Sequence, residues 1–258
     1  MTAKLITILA LVAIKSLYAA DILFPSCPFF QENFDTAEEL PNYQSKLISD
    51  GELPIIMGNI SHLLATGTDP KQVVCIFDVD GTLTDESDPT YAGETAYPRS
   101  SSMIHFVRNL HDLGINVIAS SAWNVFEHTV NRIKRLGLID VFITPEAVLS
   151  KEPVDIGDRT FLVQSLGKII SVKDSQTPSA FYRSKFISTL VSRKELAIEG
   201  SFPYTHVFFF DDSERNINIF RSDFRWFFEG KEPPHAFAYL LNSPMPNTEA
   251  RKVVTTKD

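Results

Sequence analysis

The chain has 258 residues, 44 % hydrophobic and 22 % charged, which is typical of a globular protein with one sizeable α/β domain or two small ones. Its net charge of −8 argues against sequence-independent binding to nucleic acid, which needs a basic surface. Two cysteines, Cys27 and Cys75, are too few for a disulfide-stapled scaffold. Cys75 lies in an apolar run and is expected in the core, with a Cys27–Cys75 bridge as the alternative in an oxidising compartment.

Residues 1–20, "MTAKLITILALVAIKSLYAA", have the pattern of a cleavable secretory signal. Lys4 precedes a ten-residue apolar segment, Leu5 to Ile14, which is too short to span a bilayer, and Ala19 and Ala20 offer small residues for cleavage. The alternative is a retained amphipathic helix. Without the two lysines of this leader, 22 basic and 32 acidic residues remain, a net charge of −10. We predict a secreted or periplasmic product with no membrane span after cleavage of the signal.

Apolar runs alternate with helical patterns over the rest of the chain. This alternation predicts an α/β fold with a Rossmann-like, doubly wound parallel sheet and helices on both faces. The strand-like runs are residues 73–77, 115–119, 141–143, 207–210 and 236–241. The helical patterns are residues 101–113, 125–136, 181–193 and 214–221.

We expect a single domain over residues 21–258. Its parts would be a helical N-terminal extension over 21–70, a catalytic core over 71–243 and a flexible polar tail over 244–258. One helix of the extension is predicted at 36–49.

Two connections interrupt the simple alternation of strands and helices. Residues 84–102 are rich in Pro, Gly and Ser and form a loop over the carboxyl edge of the sheet. Residues 145–180 contain two short strands joined near Gly167, which predicts a small hairpin insertion in place of a large cap domain.

Acidic and hydroxyl side chains follow three of the predicted strands. Asp78 and Asp80 end the first run, and "HVFFFDD" ends in Asp211 and Asp212. The run "INVIASS" ends in two serines, 120 and 121. The carboxyl ends of parallel strands meet at one edge of the sheet, where ligands bind. Oxygen ligands of this kind suit Mg²⁺, and no cluster of His or Cys with zinc-like spacing accompanies them.

Two simpler explanations of the acids fail. A calcium loop of the EF-hand type beginning at Asp78 needs Gly and Glu where the chain has Leu83 and Pro89. Capping of a helix accounts for one Asp, such as Asp212, but not for two pairs.

The segment "FDVDGTLTD" and three later positions resemble the motifs of the haloacid dehalogenase-like phosphatase superfamily. The segment matches the first motif, and the resemblance extends over roughly residues 73–241. The remaining motifs match in order at Ser120, at Lys185 in "FYRSKFISTL", and at the Asp211–Asp212 pair. Lys168 and Lys173 are rivals of Lys185 for the third motif.

The resemblance implies that Asp78 is a nucleophile that forms an aspartyl-phosphate, and that Asp80 is the general acid and base. It implies that Lys185 supplies positive charge, and that the Ser120 hydroxyl and the Ser121 N–H bind phosphate oxygens.

The resemblance also implies the ligands of Mg²⁺, namely the Asp78 carboxylate, the Asp80 backbone carbonyl and Asp212. Asp211 is a second ligand or a hydrogen-bond partner of the ligands, and Asn124 and Asn216 are candidate partners in the same role.

The expected activity is Mg²⁺-dependent hydrolysis of phosphate monoesters. Within the superfamily an acid at position 80 accompanies ester hydrolysis rather than dehalogenation. The alternatives are a catalytically silent secreted binding protein on the same scaffold, or a phosphotransferase. The expected partner is a phosphorylated small molecule or a phosphoprotein. The loop at 84–102 either contacts the leaving group or is a plain surface loop; its candidates are Tyr91, Glu94, Tyr97 and Arg99.

Overall fold

A mixed sheet of eight strands forms the centre of the protein. The computed structural model describes residues 40, 42–85, 96–121, 126–174, 185, 187, 188 and 202–242. In these ranges the sheet has the order β1-β8-β7-β2-β3-β6-β5-β4. The strands are β1 Tyr43–Ile48, β2 Val73–Phe77, β3 Asn116–Ser121, β4 Ser150–Ile156, β5 Arg159–Leu166, β6 Ile169–Asp174, β7 His206–Asp211 and β8 His235–Leu241.

Most neighbouring strands are parallel. β1, β8, β7, β2, β3 and β6 pair in parallel, whereas β4, β5 and β6 pair in antiparallel fashion. β2 lies between β7 and β3, and all five of its residues are fully buried. A parallel strand covered on both faces needs such a continuous apolar run.

Helices cover both faces of the sheet. They are α1 Leu53–Ala65, α2 Ser101–Asp112, α3 Phe126–Arg135, α4 Ile139–Phe142 and α5 Glu214–Phe227. Apolar residues of α1 to α4 pack into one core, and those of α5 pack into a second core. Alternate residues of β2 belong to the two cores, because successive strand side chains point to opposite faces. The predicted α/β class and its parallel centre are therefore confirmed.

Residues 141–143, predicted to be a strand, are not one. Val141 and Phe142 belong to the short helix α4, and both are buried. A short apolar run does not distinguish a buried strand from a buried helical turn. The place next to β3 is taken by β6 instead. Its turn from β5 contains Gly167, whose φ is +58° and where a Cβ would lie 2.4 Å from the Phe142 carbonyl oxygen.

The predicted helix at 36–49 is wrong over Tyr43–Ile48, which forms β1 and pairs with β8. The helix begins later in the chain than predicted. Glu52 accepts a hydrogen bond from the Ser49 N–H at 2.8 Å, and α1 follows directly after it. Such a reciprocal cap marks where a helix begins. The predicted signal at 1–20, Cys27 and the tail at 244–258 lie outside the described residues. In the described part of the chain, no helix is both long and apolar enough to cross a bilayer.

Candidate active site

Asp78 lies between two other predicted site residues at the carboxyl edge of the sheet. The register pairs Phe77 with Phe210 of β7 and with Ala119 of β3. The next residues along these strands, Asp211 and Ser120, therefore flank Asp78. The Asp78 N–H continues the ladder by donating to the Phe210 carbonyl at 2.9 Å.

Three carboxylates converge at this edge. Asp78, Asp211 and Asp212 each offer an oxygen, and these oxygens all lie within 4.8 Å of one another. Asp78 and Asp211 are buried, and Asp212 is half-buried. Like charges this close repel, and burial removes the water that would screen them, so nearby cations would stabilise the ionised form of the cluster.

Gly81 allows the backbone to pass directly beside Asp212. Its φ is +77°, and a Cβ there would lie 1.9 Å from the Asp212 Oδ2 atom. Only glycine combines a left-handed backbone with so close an approach. The turn after Asp80 and the end of β7 are thus packed against one another through this residue.

Lys185 is a buried cation in the middle of the site, with 1 % of its surface exposed. Its Nζ donates to Asp78 Oδ1 and to the Ser120 carbonyl oxygen, the latter at 2.5 Å. The same Nζ lies 3.9 Å from Asp211 Oδ2. The third-motif residue therefore contacts the predicted nucleophile and both neighbouring strand ends.

The two serines that end β3 are buried and hydrogen-bonded through their hydroxyls. Ser120 Oγ lies 2.7 Å from Ser188 Oγ, and Ser121 Oγ accepts from Thr129 Oγ1 at 3.0 Å. Ser188 was not predicted. Its signal is the spacing of three residues from Lys185, which places both side chains on one side of a helical turn.

Asp211 is held by groups on its own side of the site. Its Oδ1 accepts from the Ser213 N–H at 2.9 Å, and the Asn216 amide donates to both oxygens at 3.0 and 3.1 Å. Burial, and next the charge of Asp78, raise the pKa of Asp211 well above its usual range, against the opposing effects of Lys185 and these donors. Both oxygens of Asp211 accept hydrogen bonds and its side chain is fully buried, whereas Asp212 is half-buried. Asn124, the other predicted partner, lies outside the described residues.

Arg132 is a site residue that sequence reasoning missed. It lies on α3, is 4 % exposed, and pairs through Nη1 with Asp80 Oδ1. Burial lowers the pKa of its guanidinium, and the charge of Asp78 opposes this shift. The signal was available: the buried residues of α3 are Phe126, Thr129, Arg132 and Ile133. An arginine on the apolar stripe of an amphipathic helix needs a buried partner.

Arg99 belongs to the loop that was predicted either to contact the leaving group or to be a plain surface loop, and its side chain is not on the surface. It is buried, and its Nε donates to Asp50 Oδ1 at 2.7 Å. Its two Nη atoms donate to the carbonyl oxygens of Gly81 and Asn242, the former at 2.5 Å. Arg99 therefore supports the Gly81 turn from behind. Tyr91 and Glu94 lie outside the described residues.

The residues present fit a bound Mg²⁺. Mg²⁺ takes oxygen ligands at roughly 2.0–2.1 Å in octahedral geometry, so its ligands lie at most about 4.2 Å apart. Carboxylate oxygens within 4.8 Å of one another reach that arrangement through small side-chain adjustments. A divalent cation would also offset the negative charge of this carboxylate cluster.

Comparisons of the chain with protein-family models, with curated proteins and with solved structures found no match.

Proposed function

We propose that the protein is a Mg²⁺-dependent phosphatase of the haloacid dehalogenase-like type, which hydrolyses phosphate monoesters through an aspartyl-phosphate. The observation that carries this proposal is the surroundings of Asp78. A buried carboxylate in contact with Lys185, beside a cluster of acids and two residues from a second acid, is suited to attack on phosphorus.

Asp78 acts as the nucleophile. One of its oxygens attacks the phosphorus atom, the bond from phosphorus to the ester oxygen breaks, and Asp80 donates a proton to the departing oxygen. Asp80 then accepts a proton from a water molecule, whose oxygen attacks the phosphorus of the aspartyl-phosphate. Inorganic phosphate leaves, the carboxylate of Asp78 is restored, and Asp80 is protonated for the next cycle.

The phosphate group lies between the strand ends during this reaction. The Lys185 ammonium group offsets its negative charge, and the Ser120 hydroxyl and the Ser121 N–H, at the end of β3, are the proposed donors to its oxygens. Asp78, Asp212 and the Asp80 carbonyl would hold Mg²⁺, with Asp211 beside them. When bound, Mg²⁺ supplies the positive charge that lets an anionic nucleophile approach an anionic ester.

The substrate is proposed to be a phosphorylated small molecule or a phosphoprotein. Residues 150–174 form three antiparallel strands at one end of the sheet, which supports a small hairpin insertion rather than a large cap over the site. A site without a large cap would accommodate bulky phosphate esters. Secretion or export to the periplasm remains the proposed location, on the pattern of residues 1–20.

The test is release of a chromogenic alcohol from its phosphate ester by the purified protein, with Mg²⁺ or with a chelator. We expect Mg²⁺-dependent release that Asp78→Asn abolishes. Asp158→Asn, at an exposed turn between β4 and β5, is the matched control and leaves release unchanged. Acid-quenched protein exposed to a radiolabelled ester carries the label on Asp78.

Three outcomes contradict the proposal. Absence of release by the wild type with Mg²⁺ indicates a silent binding protein. Equal release by Asp78→Asn places the chemistry elsewhere. Transfer of the phosphoryl group to an added alcohol in preference to water indicates a phosphotransferase.

A further inference from the structure

We propose that Arg132 is a positioning residue for Asp80: its guanidinium fixes one carboxylate oxygen and thereby aims the other at the leaving group. This inference rests on the proposed function and adds to it a residue outside all four motifs. It concerns orientation of the acid, not binding of the phosphate.

The first observation is the burial of a permanent cation. The Arg132 side chain retains 5 % of its exposure, and its Nη1 pairs with Asp80 Oδ1. Removing a guanidinium from water costs several kcal/mol in rough terms, so such a side chain persists where a specific ionic partner compensates it. A surface arginine would serve solubility equally well at no such cost.

The second observation is that the two oxygens of Asp80 are not equivalent. Oδ1 is buried, whereas the side chain as a whole retains 31 % of its exposure. The exposed part therefore belongs to the remainder of the side chain, which includes Oδ2. Nη1 of Arg132 pairs with the buried Oδ1, and we therefore assign proton exchange with a substrate or water to Oδ2. A carboxylate that is held at one oxygen loses most of its rotational freedom. Efficient proton transfer requires such a fixed orientation of the acid.

The third observation is that the same face of α3 reaches a second part of the site. Thr129, three residues before Arg132, donates to Ser121 at the end of β3. Residues three apart lie on one face of a helix. α3 therefore contacts both the acid and the strand end that binds phosphate, and it holds them in a fixed relation.

A direct phosphate contact by Arg132 is the less favoured role. The exposed part of this pair is Asp80, while the arginine is nearly inaccessible, so an incoming ester meets the carboxylate first. Loss of Arg132 is then expected to affect turnover rather than substrate affinity.

The experiment compares two esters that differ in their need for an acid. A nitrophenyl phosphate has a leaving group that departs with little protonation, whereas an alkyl phosphate requires a proton. We expect Arg132→Gln to lower kcat for the alkyl ester by about 10–100-fold, part of the range typical of general acid catalysis, and to lower kcat for the nitrophenyl ester by less than about threefold. KM changes little for either ester, and Arg132→Lys restores part of the loss. Arg135→Gln, an exposed position on the same helix, is the control.

A double variant tests whether Arg132 acts through Asp80. In the Asp80→Asn background, Arg132→Gln is expected to cause no further loss with the alkyl ester, because the group that it positions has gone. A further loss equal to that of the single variant overturns the proposal. So does an equal loss on both esters, or an effect confined to KM.

Two results separate this inference from the proposed function. If the wild type hydrolyses neither ester, the proposed function fails and the inference fails with it. The Arg132→Lys variant serves this test in case the Gln variant does not fold. If the wild type is active and Arg132→Lys lowers kcat by the same factor for both esters, only the inference fails.

Discussion

Replacing Gly81 by alanine tests the proposed Mg²⁺ site separately from the stability of the fold. Gly81 has a φ of +77°, and the added Cβ would lie 1.9 Å from Asp212 Oδ2. Ordinary contact begins near 3.4 Å, so the carboxylate must retreat by about 1.5 Å. The left-handed backbone costs roughly 1–2 kcal/mol for a residue with a Cβ. A displacement of catalytic groups by about 1 Å can cost on the order of 100-fold in rate.

Gly137→Ala is the matched control, because Gly137 has a φ of +70° but an added Cβ there would meet no atom of the described residues within 4 Å. Both variants are expected to lose similar stability, measured as the urea midpoint of a chelated sample. Only Gly81→Ala should weaken Mg²⁺ binding by calorimetry and lower kcat/KM by about 100-fold. The explanation fails if Gly81→Ala binds Mg²⁺ and turns over ester as well as Gly137→Ala does.

Three further predictions follow from other contacts. Ser188→Ala removes the hydroxyl that lies 2.7 Å from the Ser120 hydroxyl. This change should weaken inhibition by inorganic phosphate about fivefold, which corresponds to one ordinary hydrogen bond. Unchanged inhibition would contradict this prediction. Arg99→Gln should lower the free energy of unfolding by about 3–5 kcal/mol in urea titrations, against under about 1 kcal/mol for Arg108→Gln, whose ion pair is exposed. Burial, and next the charge of His235 on β8, lower the pKa of His206 to about 4. Between pH 6.5 and 4 the unfolded chain therefore binds more protons than the folded protein, and the free energy of unfolding falls as the pH drops through this window. The loss is about 1–2 kcal/mol after allowance for solvent screening; His206→Gln should flatten the dependence of the urea midpoint on pH, and His105→Gln, at an exposed position, should not.

The acids of the site could be predicted because each lies beside its own strand in the sequence. The apolar run of β2 indicates a buried strand, and the carboxylates at its end are conspicuous for that reason. Parallel pairing then brings Asp211 beside Asp78 without any knowledge of the remaining structure. Local pattern and a single rule of topology suffice for this part.

The supporting arginines could not be predicted in the same way. Arg99 bonds to groups 49 and 143 residues away in the chain, and no local period encodes such partners. The error at α4 has another cause: the three apolar residues 141–143 are compatible with either a strand or a helical turn, and only tertiary packing decides between them. β1 was missed because its sequence, "YQSKLI", is mixed in polarity and its strand conformation depends on the backbone of β8.

Because β1 pairs with β8, the segment before residue 70 contributes a strand to the central sheet. β8 carries the sequence "HAFAYLL", and its outer side is covered by β1 along its length. A chain shortened to begin after β1 would present that apolar strand with its backbone groups unpaired, and such a strand recruits copies of itself. Truncation to the part of the chain that carries the four matched motifs would therefore yield aggregates, although every residue proposed to act in catalysis would still be present.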